Sequence, residues 1–209
     1  LSQCDATNRL DELISYTERL DRCQKSLSDY LETKRNFFPR FYFISDDELL
    51  SILGSSDPLS CQIHMAKMFA NCRQLFFANG GKKVTGMQSA KREKYDMRTH
   101  VSTDAVVEVW LSNVELEMQA SLRAITKEGV FNYASTFGGG IGPEARIEWI
   151  NSQVGMVSIM GTQTWWTWEV EDSFDKVMKG DKYAVKTLLD RLGGQVNDLI
   201  NKTRDMTMS

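Results

Sequence analysis

The sequence predicts a mainly α chain: an elongated array of antiparallel helices carrying one small β-hairpin insertion. Three observations predict it. Apolar residues recur at steps of three and four over most of the 209 residues, charged residues interleave with them, and prolines number only three. Helix-start chemistry stands at Ser45, Asp57 and Asp181, each ahead of such a pattern. One stretch, residues 73–101, breaks the helical habit and contains the turn signal Asn79-Gly80-Gly81.

Residues 8–35 read as one long helix. Leu10, Leu13, Thr17, Leu20, Gln24, Leu27 and Leu31 form the seam of a helical hairpin or short coiled coil, with Tyr16, Cys23 and Tyr30 beside it. Thr17 and Gln24 interrupt that seam, which favours packing against unlike helices over an isolated zipper. The stretch Lys34–Gly54, KRNFFPRFYFISDDELLSILG, follows. Phe37, Phe38, Phe41, Tyr42 and Phe43 surround Pro39, and the residue before a proline is pushed out of helical geometry. The chain is therefore expected to cross here in extended form and bury its rings deep in a helical core. Ser45 and Glu48 make a capping box, and Ile44 and Leu49 stand as the hydrophobic staple. Asp46 and Asp47 complement the helix dipole, and Gly54 fits the stop.

Asp57 followed by Pro58 opens a helix expected to reach about Cys72. Ile63, Ala66 and Ala70 make one stripe and Met65, Met68, Phe69 and Cys72 another, implying burial on more than one side. The β insertion comprises extended pieces around Leu75–Phe77, Lys82–Gln88 and Lys94–Val101. A second long helix runs from Thr103 to Glu128, with Val107, Leu111, Val114, Met118, Leu122 and Ile125 inward, Trp110 alongside and Gly129 as its end. Phe131–Phe137 fits a short further helix or a loop. Gly138–Gly142 reads as a flexible connector, after which Pro143 starts a helix with Ile147, Ile150, Val154 and Val157 inward and with Gly155 and Gly161 weakening its end. Trp166, Val170, Phe174 and Val177 line a helix from Gln163 to Lys179, which stops at Gly180. Asp181 caps the last helix, with Val185, Leu188, Leu192, Val196 and Leu199 on one face. That face keeps its phase across Gly193-Gly194, so the helix is expected to run through them.

Length and composition narrow the function classes. With 42% hydrophobic and 25% charged residues, the chain can bury one sizeable core or two small ones. A net charge of −3 argues against a dedicated nucleic-acid binder. No apolar run approaches the roughly 18 residues of a membrane-spanning helix. Cys4, Cys23, Cys61 and Cys72 form no CxxC pair and, without a signal peptide, read as free thiols of an intracellular protein. The chain opens on Leu1 inside a helical pattern and ends on Ser209 without a stop signal, as expected of a piece of a longer protein.

Chemistry-bearing constellations are thin. Gly138–Gly142 lacks the Gly-Lys-Ser/Thr ending of a phosphate loop, since Pro143 and Glu144 follow, and no good strand precedes it. Cys61, His64 and Cys72 lack a fourth ligand and tight pairing. His100, Ser102 and Asp104 are neighbours in a polar turn, where closeness in sequence does not make a triad. Residues 82–98 hold Lys82, Lys83, Lys91, Arg92, Lys94 and Arg98 against Glu93 and Asp96, six cations minus two anions, a local +4. That stretch reads first as a solvated hairpin face and second as a protein contact, because Tyr95 is its only base-stacking ring. Trp165, Trp166 and Trp168 cannot all bury on one narrow stripe, so the helix is either packed on several sides or carries an interface. No catalytic, cofactor-binding or metal-ligating residue is assigned.

Several of these blocks, taken in order, resemble the linker region of dynein heavy chains. They are SLSDYLETKR (Ser26–Arg35), FPRFYF (Phe38–Phe43), SDDELLSIL (Ser45–Leu53), KKVTGMQS (Lys82–Ser89), VVEVWLSNVELEM (Val106–Met118) and TWWTWEVEDSF (Thr164–Phe174). The tryptophan block is closer to axonemal than to cytoplasmic heavy chains. Two departures stand out: Val154-Gly155-Met156 replaces the Pro-Gly-Gln common in the family, without the proline that would break a helix there, and Gly138–Gly140 is unusually glycine-rich. The resemblance implies a non-catalytic mechanical linker that changes shape over an AAA+ ring with the ATP cycle and drives minus-end-directed movement on microtubules. ATP and Mg2+ belong to the ring of the parent chain. The implied partners are that ring, the microtubule through the parent motor and other dynein chains, with no nucleic acid or membrane, in the axoneme of a cilium or flagellum. The β insertion and Gly138–Gly140 are the expected bending points. Two other classes compete. A passive helical scaffold of spectrin-like type predicts a repeat of about 100 residues that the sequence lacks, and an enzyme lacks its constellation.

Overall fold

The computed structural model describes residues 8–137 and 143–208. Seven helices and one three-stranded sheet account for most of them: α1 (Arg9–Phe37), α2 (Asp46–Gly54), α3 (Met65–Met68), β1 (Cys72–Ala78), β2 (Lys83–Ser89), β3 (Lys94–Ser102), α4 (Val107–Phe137), α5 (Pro143–Ser152), α6 (Gly155–Met178) and α7 (Ala184–Met208). The mainly α class with a small β insertion is what the periodicity indicated. The residues fall into two compact units. The first lies within Leu1–Arg92 and Thr99–Glu117, the second within Glu93–Arg98 and Met118–Ser209.

In the first unit α1 is stopped as Pro39 requires, with Phe38 at φ −126° and ψ 92°. The elbow after it is a 3-10 turn over Pro39–Phe43 rather than an extended crossing. Its tight i to i+3 spacing brings Phe38 and Phe41 to one side, where both are buried with ring centroids 4.9 Å apart, edge to face. Phe37, Tyr42 and Phe43 point outward, so two of the five rings, not all, enter the core. Arg40 reaches back across this turn: it donates to the Met68 carbonyl (2.9 Å) and to Glu115 (2.8 Å), and its guanidinium sits 4.6 Å from the Phe69 ring centroid. The capping box is made. Ser45 Oγ accepts from the Glu48 amide at 3.3 Å, and the Ser45 amide donates to Glu48 at 3.0 Å. Ile44 and Leu49 are both buried, as a staple demands.

The expected helix from Pro58 to Cys72 is shorter than its pattern suggests. A 3-10 segment, Pro58–His64, precedes the single turn of α3, and Cys72 already opens β1. Met65, Met68, Phe69 and Cys72 are buried, but Ile63, Ala66 and Ala70 are exposed, so only one side packs. The sheet has the order β1-β2-β3, with β1 antiparallel to β2 through pairs such as Leu75–Met87 and Phe77–Val84. Asn79, Gly80 and Gly81 make the turn with φ of 54°, 65° and 92°, the left-handed region that this tripeptide tolerates. Gln62 ties the 3-10 segment Pro58–His64 to the sheet by bonding both the amide and the carbonyl of Leu75. Leu31, Leu111 and Val114 complete the core, and Lys34 pairs with the buried Glu108, which raises the lysine pKa. The predicted α1 seam is buried only at Leu31; Leu10, Leu13, Leu20 and Leu27 are exposed.

In the second unit two glycines are approach points, not stops. Gly129 lies inside α4, which continues to Phe137. A Cβ on Gly129 would stand 2.2 Å from Val157 Cγ1, and one on Gly161 would stand 2.8 Å from Trp149 Cη2. Helices can come this close only where the side chain is absent. α5 ends at Ser152, Val154 is extended (φ −69°, ψ 146°) and α6 begins at Gly155. The break therefore occurs without a proline, and the Gly155 amide is satisfied by Glu93 at 2.6 Å. This corrects the expectation that the Pro143 helix extends past Val154. Its inner face is Arg146 and Trp149 instead of Ile147 and Ile150, which are half-buried. α7 passes through Gly193 and Gly194 without interruption. Its buried residues are Ala184 and Leu188, whereas Val185, Val196 and Leu199 of the predicted face are exposed.

Gly129→Ala is expected to destabilise the second unit by about 1–2 kcal/mol, because forcing β-branched Val157 aside outweighs the helix-propensity gain of about 1 kcal/mol. Val157→Ala in the same chain should recover part of that loss in a urea titration. Two additive losses would show that the two sites are not in contact.

Candidate functional site

The first unit resolves the sulfur and histidine candidates into packing. Cys61 Sγ donates to the Pro58 carbonyl at 3.0 Å, and His64 Nδ1 lies 3.4 Å from Glu48 Oε1. Cys72 is a strand residue whose Sγ is 3.9 Å from the Gln74 carbonyl. Burial pushes the Cys61 thiol up to about 12 and the Cys72 thiol up to about 11. Among the described residues no group of three or more His, Cys, Asp or Glu converges. Cys23 is exposed, and Cys4 and Gly138–Gly142 lie outside the described residues.

Ser102 Oγ donates to Asp104 at 2.7 Å in a local turn, and both are exposed. His100 is exposed on β3 and bonds to neither among the described residues. The basic stretch is not one patch. In the first unit Lys82 and Lys83 lie at one end of β2 and Lys91 and Arg92 beyond the other, about 20 Å apart for a seven-residue strand. In the second, Arg98 is paired with Glu128.

Among the described residues Glu48 is the one strongly shifted carboxylate. The Lys67 ammonium, 2.5 Å away, and the Ser45 amide pull its pKa down to about 2 from an ordinary 4.5. A carboxylate with a depressed folded-state pKa stabilises the fold above its unfolded value and loses that contribution as pH falls through the folded value. Stability of the first unit should therefore decline between pH 4.5 and 2, and Glu48→Gln should flatten that part of the profile. Equal slopes in parent and variant, followed by hydrogen exchange at α2, would refute the assignment.

The second unit holds an aromatic lattice that periodicity misplaced. Trp165, not Trp166, points inward. Its Nε1 donates to the Val130 carbonyl at 3.0 Å, and its ring lies 5.7 Å from Tyr133 and 5.5 Å from Trp168. Tyr133 in turn meets Trp149 edge to face at 4.8 Å, and Trp149 Nε1 donates to the Gly129 carbonyl at 3.0 Å. Trp166, Trp168, Phe174 and Val177 are exposed. A cleft of about 380 Å³ between α6 and α7 is lined by Trp165 and Trp168. Four of its charged residues pair within the chain: Glu169 binds Arg191 at 2.8 Å, and Asp172 binds Lys176 at 2.6 Å; the fifth, Asp181, accepts from the Tyr183 amide at 3.0 Å. Tyr133, Trp149 and the two approach glycines were not singled out as a group by sequence, since no local pattern joins residues 129, 133, 149 and 161.

These features define a mainly helical module in which Cys61, His64 and Cys72 are buried and the outer helix faces carry exposed apolar rings. Residues 1–129 match the family profile described as dynein heavy chain, N-terminal region 2. The chain is 50% identical over 204 residues to the dynein-1-alpha heavy chain of the flagellar inner arm I1 complex of Chlamydomonas reinhardtii, covering 98% of this chain and 4% of that protein. It is 46% identical over 202 residues to human dynein axonemal heavy chain 10, covering 95% and 4%. A ciliary dynein beta chain of Tripneustes gratilla is 34% identical over 205 residues, covering 94% and 4%. The chain belongs to the dynein heavy chain family and spans about 4% of the length of these relatives.

Proposed function

We propose that these 209 residues are part of the mechanical linker of an axonemal dynein heavy chain, a helical lever that itself carries out no catalysis. In this reading the lever changes shape over the AAA+ ring of the same polypeptide as ATP is bound, hydrolysed and released. The parent motor thereby moves toward microtubule minus ends in a cilium or flagellum. ATP and Mg2+ act in the ring, and the other partners are the microtubule and further dynein chains. The observation that carries the reading is the match of residues 1–129 to the heavy-chain N-terminal region, joined by axonemal, flagellar and ciliary relatives along nearly the whole chain.

Physical features support it. A lever must resist bending along its length, and α4, with 31 residues, is about 46 Å of continuous helix. Within the second unit it is braced by the Trp149 and Trp165 bonds to its carbonyls and by the close approach at Gly129. Within the first it is held by Lys34 and Arg40. Bonded, close-packed contacts of this kind transmit strain.

The test uses the full-length heavy chain with a donor fluorophore at the exposed Tyr183 and an acceptor on the ring. Transfer efficiency is expected to change between the nucleotide-free state and the state bound to a non-hydrolysable ATP analogue. Equal efficiency in both states would replace the lever by a passive helical scaffold.

A further inference from the structure

The tip of the β1–β2 hairpin holds three consecutive residues with positive φ: Asn79, Gly80 and Gly81. Glycine takes that geometry freely, and asparagine tolerates it. Asn79 and Gly80 are exposed, and a Cβ on Gly80 would meet nothing within 4 Å. Among the described residues the Asn79 carboxamide has no hydrogen-bond partner. Asparagine is a thermally labile side chain, most so before glycine, whose backbone nitrogen no side chain shields. Of nine asparagines only Asn79 precedes a glycine. Asn71 supplies an internal contrast. It too is left-handed, at φ 61°, but its Oδ1 accepts from the Ala90 amide at 3.3 Å and the buried Cys72 follows it.

The same tip is held shut from one side. In the left-handed region ψ is near +45°, which turns the following nitrogen away from the side chain. Attack by that nitrogen on the carboxamide therefore needs the tip to open. Ala78 pairs with Lys83 in the ladder. Thr103, just past β3 and buried, closes the remainder: its Oγ1 donates to the Gly81 carbonyl at 2.7 Å, and its amide donates to the Lys82 carbonyl at 3.0 Å. Two adjacent glycines favour opening, because they regain the most backbone freedom.

We propose that Asn79 is a self-modification site, deamidating through a cyclic imide at a rate set by the hold of Thr103 on the hairpin tip. The Gly80 nitrogen gives its proton to solvent and attacks Asn79 Cγ. A C–N bond forms, the Cγ–Nδ2 bond breaks, and ammonia leaves with a proton from solvent. One water then opens the ring. Attack at Cγ gives aspartate; attack at the Asn79 main-chain carbonyl carbon gives isoaspartate. Nothing is oxidised or reduced: asparagine and water become a carboxylate and ammonia. Either product sets a negative charge beside Lys82 and Lys83. Isoaspartate also routes the main chain through Cβ, adding one methylene between the paired Ala78 and Lys83. The tip thus records the age of the chain, and this inference does not rest on the lever reading.

The test ages the intact heavy chain at neutral pH in water enriched in heavy oxygen. Every asparagine is followed by peptide mass spectrometry, with isoaspartyl methyltransferase labelling for the isomer. Asn79 is expected to convert at least about tenfold faster than Asn71 or any other asparagine, because only its attacking nitrogen belongs to glycine. It should gain one heavy oxygen. Thr103→Val keeps the side-chain shape and removes the bond to Gly81. Conversion follows the open population, so one lost hydrogen bond should speed it about fivefold. Thr103→Ser, which keeps the hydroxyl, should stay near the parent rate. Asn79→Gln, one methylene longer, should abolish conversion at the site. Conversion at Asn79 no faster than at Asn71 would overturn the proposal, as would equal rates in the parent and Thr103→Val. Asn71 accelerating together with Asn79 in Thr103→Val would report unfolding of the whole unit and overturn the local control.

Discussion

Trp149→Ala is expected to lower the stability of the second unit by about 3–5 kcal/mol, the range for deleting a buried aromatic side chain. Trp149 is 4% exposed and does three things at once. Its ring lies against the bare Cα of Gly161, it meets Tyr133 edge to face, and its Nε1 satisfies the Gly129 carbonyl. Alanine leaves a cavity that helices held together by three separate contacts cannot easily close. Trp149→Phe retains most of the ring and loses the hydrogen bond, so it should cost less. Hydrogen exchange resolved by mass spectrometry is the suitable measurement, since it reads α4 to α7 separately from the first unit. Protection unchanged along α5 and α6 in the alanine variant would refute the role given to this residue.

The second large effect is in the elbow, and it is a contrast. Phe41→Ala should destabilise the first unit by about 3–5 kcal/mol, whereas Phe43→Ala, two residues on, should change it by about 0.5 kcal/mol or less. Phe41 is fully buried and packs edge to face on Phe38, which also lies 6.2 Å from Phe69. Phe43 is 66% exposed. Had the chain crossed in extended form, alternate residues would share a face, and Phe41 and Phe43 would behave alike. Equal losses in urea titrations of the two variants would therefore contradict the 3-10 turn. The same experiment on Phe38, the turn's other buried ring, should resemble Phe41.

Much of the local structure was legible in the residues themselves. The Ser45–Glu48 box, the Ile44–Leu49 staple, the Asp57 cap and the Asn79-Gly80-Gly81 turn each involve groups within a few positions of one another, whereas Asp181, expected to cap α7, closes a turn onto Tyr183 ahead of Ala184. Their geometry is set by the chain's own short-range sterics and hydrogen bonding, so a sequence pattern suffices. The continuity of α7 across Gly193-Gly194 was readable too, although Val185, Val196 and Leu199 of its expected inner face are exposed. Family membership was readable too, because an ordered series of blocks is a property of the sequence alone.

The partners that bury a face are not local. Periodicity shows that α6 has apolar stripes, but Trp165 and Gly161 face inward because Val130, Tyr133 and Trp149 occupy that side. Gly129 and Gly161 looked like breaks, since glycine weakens an isolated helix by about 1 kcal/mol; close contact between helices turns the missing side chain into a requirement. The break before Gly155 depends on a carboxylate 62 residues away. Arg146 reads as an ordinary charged position until α6 and α7 close over it. The sequence by itself thus determined the helix starts at Ser45 and Asp57, the turn, the β insertion and the family. Tertiary structure alone decided which face of each helix is interior, because that choice is made by elements tens of residues distant competing to exclude water from the same surface.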